Sequence, residues 1–135
     1  EIILIKDGPL TKELDKVISN FEEVAPLKII TLNKNKGLGE ALKIGIKHCS
    51  YELVARMDSD DISKPLRFKK QIDFFKENPN TSILGSNICE FKDNPSIIIN
   101  IRSVPLKHKD IIKYSKLRNP FICRVRSSKP IIVSH

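Results

Sequence analysis

The most informative stretch of the chain reads Leu53-Val54-Ala55-Arg56-Met57-Asp58-Ser59-Asp60-Asp61-Ile62-Ser63. Residues 53–57 form a short, mostly apolar run, which is typical of a strand covered on both faces. Three carboxylates follow within four residues, at the point where the apolar run stops. Because open α/β sheets bind ligands beyond the carboxyl ends of their strands, we expect this loop to carry a binding site.

The spacing of these acids favours a metal ion. Two ionised carboxylates about 4 Å apart repel each other by roughly 4 kcal/mol at an effective dielectric constant near 20. A hard cation such as Mg²⁺ or Mn²⁺ between the oxygens removes that cost. Asp58 and Asp60 are separated by one residue, so in an extended backbone their side chains lie on the same side. A solvated acidic loop, with Asp61 or Ser63 capping the next helix, explains the same residues, and the acids alone leave both interpretations open.

Composition limits the classes of function. The chain has 135 residues, enough for one domain with a real core. Its net charge is +8, but the lysines are scattered and no aromatic stacking platform is evident, so nucleic acid is not an expected partner. The three cysteines are far apart and contain no C-x-x-C pair, which indicates neither a zinc site nor a disulfide framework and fits a reducing cytosol. No apolar run is long enough to cross a membrane.

The apolar periodicity predicts alternating strands and helices. Strands are expected at residues 2–5, 28–32 and 53–57, followed in turn by helices at residues 10–23, 38–46 and 65–77. Residues 82–91 and 97–103 are expected to be strands that can pair as a hairpin, and residues 105–117 a helix. This order predicts an α/β fold with a mostly parallel central sheet flanked by helices and a smaller antiparallel part toward the C-terminus. Asp7, the turn at residues 35–39 and residues 58–61 all follow strands, so we expect them to meet at one rim of the sheet.

The order of these motifs resembles that of family 2 glycosyltransferases, which have the Rossmann-like GT-A fold. The residues that carry the resemblance are Asp7-Gly8, then Asn35-Lys36-Gly37 with Ala41 and Gly45, then Asp58-Ser59-Asp60-Asp61 with Pro65, Arg67 and Gln71. The resemblance covers residues 1–120, which are expected to form a nucleotide-sugar-binding domain without the family's first strand. Residues 121–135 depart from the family pattern and are expected to be an edge strand or a disordered end.

The resemblance implies transfer of a sugar from a nucleotide diphosphate donor, with a UDP-sugar favoured, to a hydroxyl of a sugar or glycolipid acceptor, with inversion and with Mn²⁺ or Mg²⁺ as cofactor. It implies that Asp7 hydrogen-bonds the uracil or ribose and that Lys36 and Gly37 lie beside the nucleotide. Asp58 would lie near the ribose and diphosphate and share the metal with Asp60, its main ligand. Asp61 either contacts the metal ligands without binding the metal itself or caps the next helix, and the helix cap is favoured. Arg56 is equally well explained as a phosphate contact and as a structural ion pair.

The catalytic residue is not identified from the sequence. An inverting transferase needs a general base for the acceptor hydroxyl, and no acidic motif follows residue 119. Glu90 and Asp93 lie nearer the expected sheet, but no motif selects either. The expected location is the cytoplasm, with peripheral association at the inner face of the membrane as an option. Since both ends look incomplete, we expect the isolated chain to bind a nucleotide diphosphate weakly and to transfer little sugar.

Two other classes of protein remain as alternatives. Phosphatases of the haloacid-dehalogenase type also carry D-x-D after a strand, but a Thr or Val follows there, where this chain has Ile62, and their motif lies at the start of the chain. A non-catalytic Rossmann-like domain that binds a nucleotide or a protein is the other alternative. Gly37-Leu38-Gly39 is neither a P-loop nor a dinucleotide fingerprint, because Leu42 occupies the last glycine position.

Overall fold

The computed structural model describes residues 1–120 and the backbone of Val125–Ser127. The chain divides into two compact units, Glu1–Tyr51 and Glu52–His135. The elements in chain order are β1 (Ile2–Lys6), α1 (Lys12–Glu22), β2 (Leu27–Thr31), α2 (Leu38–Lys47), β3 (Leu53–Ala55), α3 (Arg67–Glu77), β4 (Ile83–Leu84), β5 (Ile88–Glu90), β6 (Asn100–Arg102), α4 (His108–Ser115) and β7 (Val125–Ser127).

The first unit is a parallel β-α-β arrangement, as the sequence predicts. β1 and β2 pair in parallel, with Ile2 opposite Leu27 and Lys6 opposite Thr31. Helix α1 connects them and begins at the N-cap Thr11, whose hydroxyl accepts a hydrogen bond from the Leu14 N–H at 3.4 Å. Its apolar side chains and those of the strands line one groove, formed by Ile2, Leu4, Val17, Ile18, Phe21, Ala25 and Leu27.

Helix α2 packs on β1 through its small residues. Ala41 and Gly45 are buried on the face that contacts the strand. A Cβ atom added at Gly45 would lie 3.2 Å from the side chain of Ile5, so the Ile5 side chain would have to shift by a few tenths of an ångström to admit it. The start of α2 lies near the carboxyl end of β1, because the Gly37 N–H donates a hydrogen bond to Asp7 at 2.9 Å.

The second unit contains a three-stranded antiparallel sheet in the order β3-β7-β4. β7 lies in the middle, with Arg126 opposite both Val54 and Ile83. Residues 125–127 are therefore neither an edge strand nor a disordered end; the rest of the predicted tail lies outside the described residues. The alternation predicts a third parallel strand, but β3 pairs antiparallel with β7, which comes from a distant part of the chain.

The predicted burial of β3 on both faces is wrong. The side chain of Leu53 is 36% exposed, and Ala55 is also exposed. Antiparallel sheets can leave one face to solvent, whereas parallel sheets are covered on both faces. The strand also ends at Ala55, two residues earlier than predicted.

A hairpin is confirmed in the second unit, although its first strand is shorter than predicted. Residues 82–91 form two strands, β4 and β5, with Gly85 between them, since glycine weakens a strand interior. β5 and β6 pair antiparallel, with Cys89 opposite Ile101. The Asn87 side-chain oxygen accepts a hydrogen bond from the Val104 N–H at 3.1 Å, which fixes the chain that leaves the hairpin.

Helix α3 begins at Arg67, with Leu66 at the N-cap and no side-chain capping bond. Capping by Asp61 or Ser63, as expected from the sequence, is therefore wrong. The apolar residues Phe68, Ile72 and Phe75 follow helical spacing, but only Phe75 is buried, and Gln71 one turn before it is the other buried residue of the helix. None of the helices in the described part of the chain is long and apolar enough to cross a membrane.

Taken over the described elements, the predicted fold class is confirmed: a parallel pair, flanking helices, and a small antiparallel hairpin toward the C-terminus.

Candidate functional site

One candidate site is a cluster in the first unit, formed by Asp7, Asn35, Lys36 and Gly37, which we call the Asp7 cluster. Asp7 follows β1 directly, and its two carboxylate oxygens accept backbone hydrogen bonds from Lys36 at 2.7 Å and from Gly37 at 2.9 Å. The side-chain oxygen of Asn35 accepts a second bond from the Gly37 N–H at 3.0 Å. Hydrogen bonds to an ionised acceptor are stronger than neutral ones, so Asp7 holds this turn against the end of β1. The predicted meeting of Asp7 with the turn at residues 35–39 is confirmed.

Gly8 makes this approach possible. Its φ of +103° is in the region that favours glycine, and a Cβ there would lie 2.8 Å from the backbone nitrogen of Asn35. Any larger residue at position 8 would therefore displace the turn that Asp7 holds.

An open cavity of about 460 Å³ lies beside the Asp7 cluster, at the carboxyl end of β2. Its lining consists of Thr31, Leu32, Asn33, Lys34 and Lys36. The two lysines give the cavity a positive charge that suits an anionic ligand. The sequence predicts that Lys36 lies beside the nucleotide, but it predicts no ligand contact for residues 31–34. The feature that points to these residues is the polar run that begins where β2 ends.

Another candidate site is the acidic loop of the second unit, residues 57–61. The Asp58 carbonyl accepts a hydrogen bond from the Asp61 N–H at 3.2 Å, so residues 58–61 form a turn. The extended backbone expected between Asp58 and Asp60 is therefore wrong, because Asp and Ser favour a turn once the strand pairing stops. Asp60 lies at the exposed corner of this turn. Within the described residues its carboxylate makes no hydrogen bond or ion pair.

Asp58 is paired with Arg56. The Arg56 Nη2 lies 2.7 Å from Asp58 Oδ1 and 2.9 Å from Oδ2, and Nε lies 3.0 Å from Oδ1. Both carboxylate oxygens are thus engaged by one guanidinium. Of the two interpretations of Arg56, an ion pair is the one that the structure shows.

Arg67, the first residue of α3, fixes the backbone before the acidic loop. Its Nη2 donates to the Arg56 carbonyl at 3.1 Å, and its Nη1 lies 3.1 Å from the Met57 sulfur. The guanidinium also lies 4.7 Å from the ring centroid of Phe68. The sequence motif includes Arg67 but does not predict a role for it. A cation at the start of a helix, where the dipole disfavours it, is the signal that points to such a tertiary role.

The carboxylates fit a cation that arrives with its own oxygen ligands. Within residues 1–120, no group of three or more His, Cys, Asp or Glu side chains could hold a metal ion by itself. Mg²⁺ is usually bound by one or two carboxylates together with phosphate oxygens and water. Asp58 and Asp60 are hard oxygen donors of that kind, so they suit a metal bound to a diphosphate and do not form a site made of protein groups alone.

The carboxylate of Glu90 is occupied in the hairpin. Its oxygens accept hydrogen bonds from the Asn100 amide at 2.8 Å and from the Arg102 guanidinium. The Asn100 amide, followed by Arg102, lowers the pKa of Glu90 below its ordinary value of 4.5. A carboxylate with a lowered pKa is a weak proton acceptor, so these contacts do not support Glu90 as the general base.

Comparisons with known proteins agree with the motif order. The family model described as glycosyl transferase family 2 matches residues 1–129. An uncharacterised glycosyltransferase of Haemophilus influenzae is 45% identical over 121 residues, which cover 90% of this chain and 45% of that protein. The UDP-Gal:alpha-D-GlcNAc-diphosphoundecaprenol beta-1,3-galactosyltransferase of Escherichia coli is 44% identical over 90% of this chain and 44% of its own length. The amylovoran biosynthesis glycosyltransferase AmsE of Erwinia amylovora is 38% identical, with 90% of this chain and 45% of the relative covered.

The chain thus spans less than half of the length of each of these relatives. Within that span, the match covers both the Asp7 cluster and the acidic loop. It favours neither the phosphatase nor an unrelated nucleotide-binding domain. The chain belongs to glycosyl transferase family 2, whose GT-A fold accounts for the α/β order of its elements.

Proposed function

We propose that this chain binds the donor in a glycosyltransferase that moves a sugar from a nucleotide diphosphate to an acceptor hydroxyl, with a divalent cation and with inversion. The single observation that carries the proposal is the presence, in a chain of this family, of two ligand-suited loops after strands: the Asp7 cluster and the acidic loop.

The Asp7 cluster supports the nucleotide part of the proposal. A carboxylate offers about four acceptor positions, and the backbone of the turn uses two of those on Asp7. The remaining positions are available to the uracil or ribose. The neighbouring cavity, with Lys34 and Lys36 in its lining, suits a ligand that carries phosphates.

The acidic loop supports the metal part of the proposal. Asp60 would be the main ligand of Mn²⁺ or Mg²⁺, with Asp58 as the second carboxylate near the ribose and diphosphate. When bound, such a cation neutralises the diphosphate and makes the nucleotide a better leaving group. Arg67 positions the loop through the carbonyl of Arg56.

A UDP-sugar donor and a lipid-linked acceptor are proposed from the relative in Escherichia coli, whose name specifies both UDP-Gal and a diphosphoundecaprenol acceptor. A lipid-linked acceptor is held in a membrane, so we propose that the chain acts close to the membrane, at its inner face. The chain has features that suit a peripheral position there: a net charge of +8, and exposed apolar residues such as Ile97 at 61% and Ile99 at 64% exposure.

A thermal-shift screen of nucleotide sugars tests the proposal. A ligand that binds only the folded state raises the melting temperature by mass action. We expect UDP-sugars with Mn²⁺ to raise it, and the same sugars with EDTA to have little effect. If no nucleotide sugar changes the melting temperature with Mn²⁺ present, the proposed donor site is wrong.

A further inference from the structure

Asp58 presents a conflict: the proposed function assigns it to a cation, but a guanidinium already occupies it. We propose that Arg56 is the internal counter-ion of Asp58, and that a divalent cation bound to a diphosphate releases the guanidinium, which then contacts the diphosphate. This inference rests on the proposed function and adds to it a positioning residue that couples the metal to the nucleotide.

The geometry shows that the guanidinium and a metal would compete. Two nitrogens of Arg56, Nε and Nη2, make three hydrogen bonds of 2.7 to 3.0 Å to the Asp58 carboxylate, and both carboxylate oxygens accept at least one. A cation needs the same lone pairs, and its charge repels the guanidinium. Full occupation of Asp58 by Arg56 and by a metal at the same time is therefore unfavourable.

The surroundings leave room for the side chain of Arg56 to move while its backbone stays in place. Arg67 holds the Arg56 carbonyl at 3.1 Å. The turn from Asp58 to Asp61 holds the backbone on the other side. The Arg56 side chain itself is 23% exposed and that of Asp58 is 45% exposed, so water can reach the ion pair. Separation of the two side chains therefore leaves neither charge buried without solvent.

The functional consequence is coupling between metal and nucleotide. A free cation must displace Arg56 and leave its charge without a partner. A cation that carries a diphosphate brings the anion that Arg56 needs. Arg56 thus weakens binding of the metal alone and strengthens binding of the metal with the nucleotide, which keeps the acidic loop from filling with metal before the donor arrives.

The test measures Mn²⁺ binding without nucleotide, from the electron paramagnetic resonance signal of free Mn²⁺. For Arg56→Gln we expect Mn²⁺ affinity to rise roughly three- to tenfold, in the range set by partly exposed, charge-assisted pairs. Arg56→Lys keeps the charge but loses the bidentate geometry, so its Mn²⁺ affinity should lie between that of wild type and that of Arg56→Gln. The matched control is Arg102→Gln, which removes the same charge from the Glu90 pair in the hairpin and should leave Mn²⁺ affinity unchanged.

A second arm measures UDP affinity at saturating Mn²⁺. We expect it to fall severalfold in Arg56→Gln, because this variant has no guanidinium that can contact the diphosphate. Circular dichroism and the melting temperature establish that the variants are folded. Mn²⁺ affinity that is unchanged or weaker in folded Arg56→Gln overturns the inference.

If Arg56→Gln does not fold, nitrogen-15 spectra of the arginine side chains in the wild type give the answer, with Arg56→Lys used for assignment. Addition of Mg²⁺ and UDP should shift the Arg56 Nε–H signal, and an unshifted signal contradicts release. Failure of the underlying function is distinguishable, because Mn²⁺ would then leave the UDP affinity of the wild type unchanged. Failure of the inference alone leaves wild-type binding intact and insensitive to residue 56.

Discussion

Three aspartates that follow strands have three different surroundings. Asp7 accepts two backbone hydrogen bonds from a turn, Asp58 is held by Arg56, and Asp60 lies exposed at the corner of the acidic loop. The sequence predicts that these acids end strands, since the apolar runs stop where they begin. It does not predict their partners, because the contact of Asp7 with residues 36 and 37 depends on how two separate loops meet.

Removal of the Asp7 carboxylate should loosen the turn it holds. We expect Asp7→Ala to lower the free energy of unfolding by about 1–3 kcal/mol, since two backbone N–H groups lose a charged acceptor. Urea denaturation measures the change. Asp93→Ala, at an exposed position, is the matched control and should stay within about 0.5 kcal/mol of wild type. Equal stability of the two variants would show that Asp7 does not hold the turn.

At the scale of the element, helices follow from the sequence better than strands do. α1 lies within the range that its apolar spacing predicts, and α2 extends one residue beyond its predicted range, because the 3.6-residue period is a local signal. The run at residues 82–91 instead splits into β4 and β5, and β3 is shorter and more exposed than its apolar residues suggest. Strand length and burial depend on the partner strand, and the partner of β3 and β4 is β7, more than 40 residues away from either.

The turn after β1 gives a stability prediction with an internal control. We expect Gly8→Ala to destabilise the protein by about 1–3 kcal/mol, because alanine there needs a positive φ and meets the Asn35 backbone at 2.8 Å. Gly39→Ala, in α2, adds a Cβ that meets nothing within 4 Å and should be neutral or stabilising, since alanine is the better helix former. Thermal unfolding of both variants checks the contrast, which a tolerant Gly8 position would remove.

The hairpin gives a prediction about pH. The pKa of Glu90 is lowered in the folded protein, first by the Asn100 amide and then by Arg102. A carboxyl with a lowered folded pKa contributes stability that is present above its unfolded pKa and is lost as the pH falls through the folded value. The contribution of Glu90 should therefore be present above its ordinary value of 4.5 and decline below it.

Urea denaturation at pH 6 and in the acid range, for wild type and Glu90→Gln, checks this direction. We expect the variant to lose less stability than wild type on acidification. Glu52→Gln, at an exposed position before β3, is the control and should lose as much as wild type. An identical loss in wild type and Glu90→Gln would show that the hairpin contacts do not hold the Glu90 carboxylate ionised.

At the scale of the whole molecule, the order of elements and the family follow from the sequence, whereas the pairing of the antiparallel sheet does not. The parallel β1–β2 pair and the β5–β6 hairpin join neighbouring elements, so local patterns are sufficient to predict them. The position of β7 between β3 and β4 is a long-range pairing that no local pattern encodes. For the same reason the site is only partly predictable: its carboxylates are, and the roles of Arg56 and Arg67 are not.

The proposed function depends on a divalent ion that links the acidic loop to a nucleotide diphosphate. Titration calorimetry of UDP, with Mn²⁺ and with EDTA, on wild type and Asp60→Asn is the most direct measurement. We predict that Mn²⁺ raises the UDP affinity of the wild type at least severalfold, and that Asp60→Asn, folded because the loop is exposed, retains only the metal-independent affinity. UDP affinity that is the same with and without Mn²⁺ in the wild type would contradict the account.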